Sequence, residues 1–420
     1  MTSHKPIQDI KQNFWTLASI QCGSMGIWGM ILGWQLAEKY GPNITIGSIL
    51  IGNLILWAIG IVIISMSAHS RTNSIQNIKE TLGSGSAIIA TICLVLAFLS
   101  WYIYQLKAST IAFDNIFNRS IIEQTKISIR SGVGLGIFSA LLAIGGIKIV
   151  KWINLICLPL LIIYNLAAFF LADNLIFLDH HWKLSLPVIS AIVLFYLAGT
   201  INLPTFFRHS RSLADSYLAL TLMTFIYSFF LVSSMFFNIQ KNVTPNFIPV
   251  IQLGSYFQYI VVAFVILITI ANLVVNIYFA SASWEFSLPR FEGPKEYAII
   301  GLIGTAAYTF VQISTPMKYI LDLANFFLAN LGLVLLLTFL LKIVFKRKIK
   351  ILGKVIGTSA WILSCIAAVI FEFKFPNNEA HTLIVSMGVS SIFFLCAIFV
   401  EETIWATKSL LQRKRKKENA

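Results

Sequence analysis

Apolar residues along this chain come in long runs separated by short polar breaks. They show neither the strict alternation of a half-buried strand nor a narrow apolar stripe on a polar helix. A helix rises 1.5 Å per residue, so runs of about 20 apolar residues match the roughly 30 Å of a bilayer's hydrocarbon core. Lipid offers no partner to open sheet edges, so the predicted fold is all-helical and polytopic. The runs place twelve transmembrane helices near 13–37, 44–67, 85–113, 131–148, 152–172, 185–204, 214–238, 255–282, 297–314, 319–344, 355–372 and 381–404, called spans one to twelve. A polar N-terminal tail, 1–12, and a basic tail, 405–420, flank them.

Composition removes the soluble alternative. Of 420 residues 57% are hydrophobic and 11% charged, with a mean hydropathy of +0.81, whereas soluble domains carry about 25% charged residues. The formal charge of +14 then acquires a direction. With the N terminus in the cytoplasm, 22 basic residues fall on the inner side and eight on the outer, and Lys107 stays within span three. The positive-inside rule therefore predicts a multi-pass inner-membrane protein with both termini cytoplasmic. The loop from Asp114 to Arg130, carrying Arg119, Lys126 and Arg130, runs against that count. The basic runs Lys346 to Lys348 and Arg413 to Lys417 directly follow spans, so their expected partner is anionic lipid at the cytoplasmic face rather than nucleic acid. The polar first twelve residues and the long run after them lack a cleavage pattern, so span one is expected to stay in the mature protein.

The five cysteines stand singly in apolar runs, and the six histidines lie in connections or at span edges, His180 and His181 in a predicted solvated loop. No metal site, disulfide framework or cofactor is expected. The connections are too short for a soluble sensor domain, and no span gathers the acid, base and nucleophile groups of an enzyme.

Two spans carry helix-breaking clusters. Span one contains Gly23, Ser24, Met25, Gly26, Gly29 and Gly33, and span six contains Ala198, Gly199, Thr200, Asn202 and Pro204. Glycine weakens a helix and proline removes a backbone donor, so either cluster can free polar backbone inside the membrane. Paired interruptions five spans apart point to a transporter with inverted repeats and a binding site at the breaks. Close packing of small residues is the other reading, and Gly29 with Gly33 fits it.

Interior polar residues suggest what such a site would hold. Trp101 and Gln105 lie one turn apart on span three, and Asn272 and Asn276 repeat that spacing on span eight. An indole plate beside amides suits a flat polar ring, since the plate stacks and the amides offer donors and acceptors to its edge. Interhelical hydrogen bonding is the alternative fate of such amides. Lys107 lies nearer the outer end of its span, where its stem reaches the interface. No span carries a central Asp, Glu or Arg, and Asp322 sits at a span end, which favours a neutral solute.

The ordered set of features resembles the nucleobase:cation symporter family, in particular its cytosine permease and hydantoin transporter branch, within the amino acid-polyamine-organocation superfamily. The resemblance rests on the glycine-rich span one with Trp28, on Leu50 to Asn53, and on Trp101 with Gln105. It continues in Gly199 and Thr200 followed by Phe206, Phe207, Arg208 and Arg211, and in Asn276 with Tyr278, Ala280 and Ser281. It covers residues 13–282, and beyond them only the number of spans supports it. It implies a leucine-transporter-type fold: inverted repeats 13–172 (spans one to five) and 185–344 (spans six to ten), plus two further helices in 355–404. It implies alternating access by a functional monomer, a nucleobase-like solute between Trp101 and Phe195 or Tyr196, and Gln105 with Asn276 reading its edge. The spacing adds Asn272, and the breaks add Gly23, Ser24, Gly26 and Gly199, to the expected substrate site, and Gly23, Gly26, Thr269 and Asn272 are where a coupling cation, sodium or proton, would be sought. Two departures stand out. Span eight reads Thr269, Ile270, Ala271, Asn272 where sodium-coupled relatives have adjacent hydroxyls. Leu203, Pro204 and Thr205 replace the family's acidic residue, and span ten lacks its Pro-Pro-Gly turn. The expected activity is secondary transport of a neutral planar heterocycle such as cytosine or a purine, with an amino-acid permease as the alternative.

Overall fold

The computed structural model describes residues 11–67, 72–116, 121–170, 183–235, 255–285, 294–311, 317–344, 351–375 and 378–418. Every predicted apolar run is helical within them. Span one is divided into Phe14–Gly23 and Gly26–Tyr40; span two is Pro42–Ser67, span three Ser84–Ile116, span four Ile121–Ala143 and span five Gly146–Phe170. Span six is divided into Leu186–Ile201 and Leu203–Phe207. Spans seven to twelve are Leu213–Ser234, Ser255–Glu285, Pro294–Val311, Met317–Val344, Ile351–Lys374 and Glu379–Glu418. Among the described residues nine helices are long and apolar enough to cross a membrane; the halves of span one fall short because the break cuts them.

The packing repeats itself under one exchange. Span one packs on spans five and seven, and span six packs on spans ten and two. Spans three and eight pack on each other, as do four and nine, and two and seven. Replacing each of spans one to five by the span five places later leaves this set unchanged. An odd number of crossings per set makes the second set run in the opposite direction, which is an inverted repeat. Spans eleven and twelve pack on each other and on span ten. Large apolar side chains such as Leu54, Phe138, Trp152, Phe170 and Ile392 are exposed on the outside of the bundle, as lipid allows and water would penalise.

Three expectations need correction. Residues Ser74–Leu82, read as a connection, form a helix opened by a capping box: the Asn73 side chain accepts from the Gln76 amide at 2.8 Å and Gln76 returns the bond at 3.1 Å. Its buried Ile75, Ile78 and Leu82 explain why it stays on the bundle. The second half of the Asp114 to Arg130 loop is helical from Ile121, extending span four, and span twelve continues through the basic tail to Glu418. Lys107 is exposed, in keeping with its snorkelling assignment. His180, His181, Arg119 and Lys346 to Lys348 lie outside the described residues.

Candidate binding site

The break in span one is forced by what approaches it. Gly26 has φ +70°, in the left-handed region, and a Cβ there would fall 2.6 Å from the Gln105 side-chain oxygen. A side chain at Gly23 would fall 2.5 Å from the carbonyl oxygen of Asn154 in span five. Gly33 is a packing glycine, with span seven's Leu231 carbonyl 2.0 Å from where a Cβ would stand.

Three of the carbonyls at this break have donors. Gln21 O accepts from Ser24 Oγ at 2.8 Å and from Tyr227 Oη at 3.0 Å. Cys22 O accepts from Met25 N at 3.3 Å. Ser24 O accepts from Asn272 Nδ2 at 2.5 Å. In span six the break falls at Asn202, whose Oδ1 accepts from Thr205 Oγ1 at 2.6 Å, while its Nδ2 is buried without a partner among the described residues.

Between the two breaks lies a cavity of about 100 Å³. Its aromatic walls are Trp28, Phe98, Trp101, Phe195, Tyr196, Tyr227 and Phe279; its amides are Gln21, Gln105, Asn272 and Asn276. Ser24, Met25, Ala198, Gly199, Thr200, Met223 and Val275 complete the lining, which holds no charged side chain. Of the predicted substrate residues, Trp101, Gln105, Phe195, Tyr196, Asn272, Asn276, Ser24 and Gly199 meet here. Gly26 lies just behind, under Gln105, and Gly23 faces span five instead. Thr269 is fully buried away from the cavity, donating to Val265 O at 2.6 Å and sharing a 2.6 Å bond with Ser109 Oγ.

Sequence reasoning passed over Gln21, Tyr227, Phe98 and Phe279. Gln21 had a signal, a lone amide in an apolar run two residues before the glycine cluster. Tyr227 had none, because one tyrosine in span seven looks like any membrane aromatic.

The orientations of two amides follow from chemistry. A backbone carbonyl only accepts, so Asn272 must turn Nδ2 to Ser24 O and Oδ1 the other way. Asn276 therefore donates Nδ2 to Asn272 Oδ1, at 2.7 Å. Asn276 is left with its own Oδ1, a fixed acceptor at the cavity wall, beside the second N–H of its amide. Gln105 is the contrary case: its Nε2 is buried without a partner among the described residues. A half-turn of that amide brings either polar end to the cavity.

The aromatic plates touch. Trp101 and Phe195 meet edge to face, ring centres 4.6 Å apart at 68°, and two plates enclosing a ring need about 7 Å, twice a carbon contact distance. One of them must rotate before a ring can lie between them. Tyr196 stacks on Tyr227 at 4.6 Å, and Trp28 Nε1 donates to Tyr104 O at 3.0 Å.

Toward the N-terminal side the cavity is sealed. Phe279 stacks on Phe98 and meets Phe206 edge-on; Phe206 stacks on Tyr278, and Tyr278 on Tyr297. Beyond them Arg208 pairs with Glu285 at 3.6 Å. Gln12 bridges to the turn after span six, its N–H donating to His209 O at 2.8 Å and its carbonyl accepting from Arg211 N at 2.9 Å.

Solved structures share this fold. Mhp1, a nucleobase-cation-symport-1 family transporter, in a closed conformation with bromovinylhydantoin bound, superposes with a TM-score of 0.67 at 16% identity over 93% of each chain. A Na+-coupled sialic acid symporter in a substrate-bound outward-open state gives 0.67 at 13% identity, over 92% of this chain and 90% of that one. The Eremococcus coleocola manganese transporter, in a mutant form, gives 0.55 at 16% identity over 98% of this chain and 97% of that one. The fold is of the leucine-transporter type. No protein-family model matches the chain, and no curated protein matches it in sequence.

Proposed function

We propose that this chain is a secondary active transporter of the nucleobase:cation symporter kind, carrying a small neutral planar heterocycle across the inner membrane by alternating access, both termini cytoplasmic. The observation that carries the reading is the polar edge of the cavity. Asn276 Oδ1 is a fixed acceptor, Gln105 is an amide with an unanswered donor, and both sit among aromatic plates without a charge. A ring with adjacent N–H and C=O or C=N groups, as in cytosine, purine bases and hydantoins, matches that edge: its N–H meets Asn276 Oδ1 and its acceptor meets Gln105 Nε2. Burying an unpaired amide donor costs about 1–3 kcal/mol, so a solute that supplies the acceptor recovers that amount on binding. Phe195 rotates off Trp101 to admit the ring, which Trp101 then holds by stacking. Closure of the outer side and parting of the Phe206, Tyr278 and Tyr297 layers release it inward.

Each differing neighbour would need something this cavity lacks. A carboxylated sugar calls for a cationic partner, and the lining has none. A manganese ion calls for gathered carboxylate, His or Cys ligands, and among the described residues no three such side chains come together. An amino acid would use the free backbone of span one, where the Gln21, Cys22 and Ser24 carbonyls already hold donors.

The test is a thermal-shift panel on the purified full chain against cytosine, uracil, hypoxanthine, hydantoin, nucleosides, aromatic amino acids, sialic acid and Mn²⁺. A ligand at 100 times its dissociation constant stabilises by about 2.7 kcal/mol. The expected result is a rise in Tm with one or more free bases or hydantoins. A rise with amino acids alone establishes the permease instead.

A further inference from the structure

Broken helices in secondary transporters commonly offer their unwound carbonyls to a coupling sodium ion. Such an ion needs oxygen lone pairs turned toward one point. At the span-one break three carbonyls, those of Gln21, Cys22 and Ser24, face protein donors. Tyr227 and Ser24 hydroxyls serve Gln21 O, the Met25 amide serves Cys22 O, and Asn272 Nδ2 serves Ser24 O. Asn272 cannot turn its oxygen toward an ion without setting it against a carbonyl, and that oxygen already accepts from Asn276. Thr269, the one hydroxyl in this stretch of span eight, is committed to Val265 O and Ser109. Ala271 between them is fully buried and apolar.

We propose that Asn272 is a tethered stand-in for a coupling cation: its amide N–H, reaching from span eight, neutralises the Ser24 carbonyl dipole and closes the span-one break without sodium. The two elements that an ion would clamp together are joined instead by a hydrogen bond between a side chain and the backbone.

The proposal extends the transport reading by supplying a different trigger. Asn272 joins Ser24 O to Asn276, and Asn276 presents its remaining oxygen to the cavity. A bound N–H donor thereby completes an unbroken string, solute to Asn276, Asn276 to Asn272, Asn272 to the break in span one. Occupancy by the solute, rather than by sodium, is what the broken helix registers.

Cation titrations of the solute-free full chain, in detergent or nanodiscs, test this independently of which solute is carried. Melting is followed in sodium, potassium and choline chloride at equal ionic strength. The expected result is the same Tm in all three; a rise specific to sodium overturns the proposal. Asn272→Asp sets a carboxylate against the Ser24 carbonyl. This variant is expected to melt below wild type in choline and to regain its Tm specifically as sodium is added. An Asn272→Asp protein as stable as wild type in choline and indifferent to sodium also overturns it. If Asn272→Asp is not recovered folded, the wild-type titration decides alone. Absence of any shift with heterocycles in the earlier panel removes the solute assignment and leaves this result standing.

Discussion

Span one breaks at a glycine in the left-handed region, and two of its loosened carbonyls, those of Gln21 and Ser24, are held by side chains from spans seven and eight. Span six breaks at Asn202, whose φ of −91° any residue can adopt, and Pro204 two positions later removes a donor that would continue the helix. The first break is clamped from outside, while the second is written into its own residues. Glycines sharpen the contrast: a Cβ at Gly26 meets the Gln105 amide, but a Cβ at Gly199 meets nothing within 4 Å. Span one is therefore the element whose geometry depends on its neighbours and can report on them. Span six supplies a wall with room beside it.

Gly26→Ala should produce the largest effect. A residue with a Cβ in the left-handed region costs about 1–2 kcal/mol, and the same atom displaces Gln105. Melting should drop and binding of the solute identified in the panel should fall by more than tenfold, since about 1.4 kcal/mol is a factor of ten. Wild-type binding in Gly26→Ala would mean that the break is not held in this conformation. Gln105→Ala comes next. Losing the hydrogen bond should weaken binding by about ten- to a hundredfold, or about 1–3 kcal/mol. Its Tm in the absence of solute should be close to wild type or higher, because an unpartnered buried donor is removed. Isothermal titration and melting curves separate the two quantities.

The twelve spans and the two breaks were legible because lipid imposes a simple code. Apolar length reports a crossing, and glycine or proline inside it reports an opening. The candidate amides were legible for the same reason, since Gln105, Asn272 and Asn276 are conspicuous in hydrocarbon. What those amides do to one another was not legible. That Asn276 is a fixed acceptor and Gln105 a free amide follows only from Ser24 O standing against Asn272, a relation across 248 residues. Gly23 illustrates the limit from the other side: its place in the cluster suggested the substrate wall, yet it makes room for Asn154. The helix at Ser74–Leu82 carried a readable signal in Asn73 and Gln76, but it is short and largely polar and has no long apolar run to mark it.

Gly199→Ala probes the other break with a smaller expected effect. Open space at this position predicts a fold and Tm like wild type, with a methyl group protruding toward a cavity of about 100 Å³. Binding of the larger bases should weaken more than that of the smallest heterocycle bound. An equal loss for every ligand size would point to a backbone change in span six rather than to a filled space.

The smallest change should come from the N-terminal seal. Arg208 and Glu285 stand 3.6 Å apart with 19% and 27% of their side chains accessible, and pairs with such access to solvent contribute at most about 1 kcal/mol. Glu285→Gln should therefore leave Tm nearly unchanged. The pair nonetheless lies beyond the aromatic stack, next to the bridge from Gln12 to the turn after span six, so a weaker pair should let that bridge open more often. Hydrogen exchange at residues 12–16 and 208–216 should rise while the cavity-lining segments of spans three and eight stay protected. Faster exchange confined to the bridge would show that the seal loosens apart from the site. Unchanged exchange would assign the seal to Phe206, Tyr278 and Tyr297. The contrast between a clamped and a self-made break would then extend to the gate: stacking would hold it, and charge would only mark its edge.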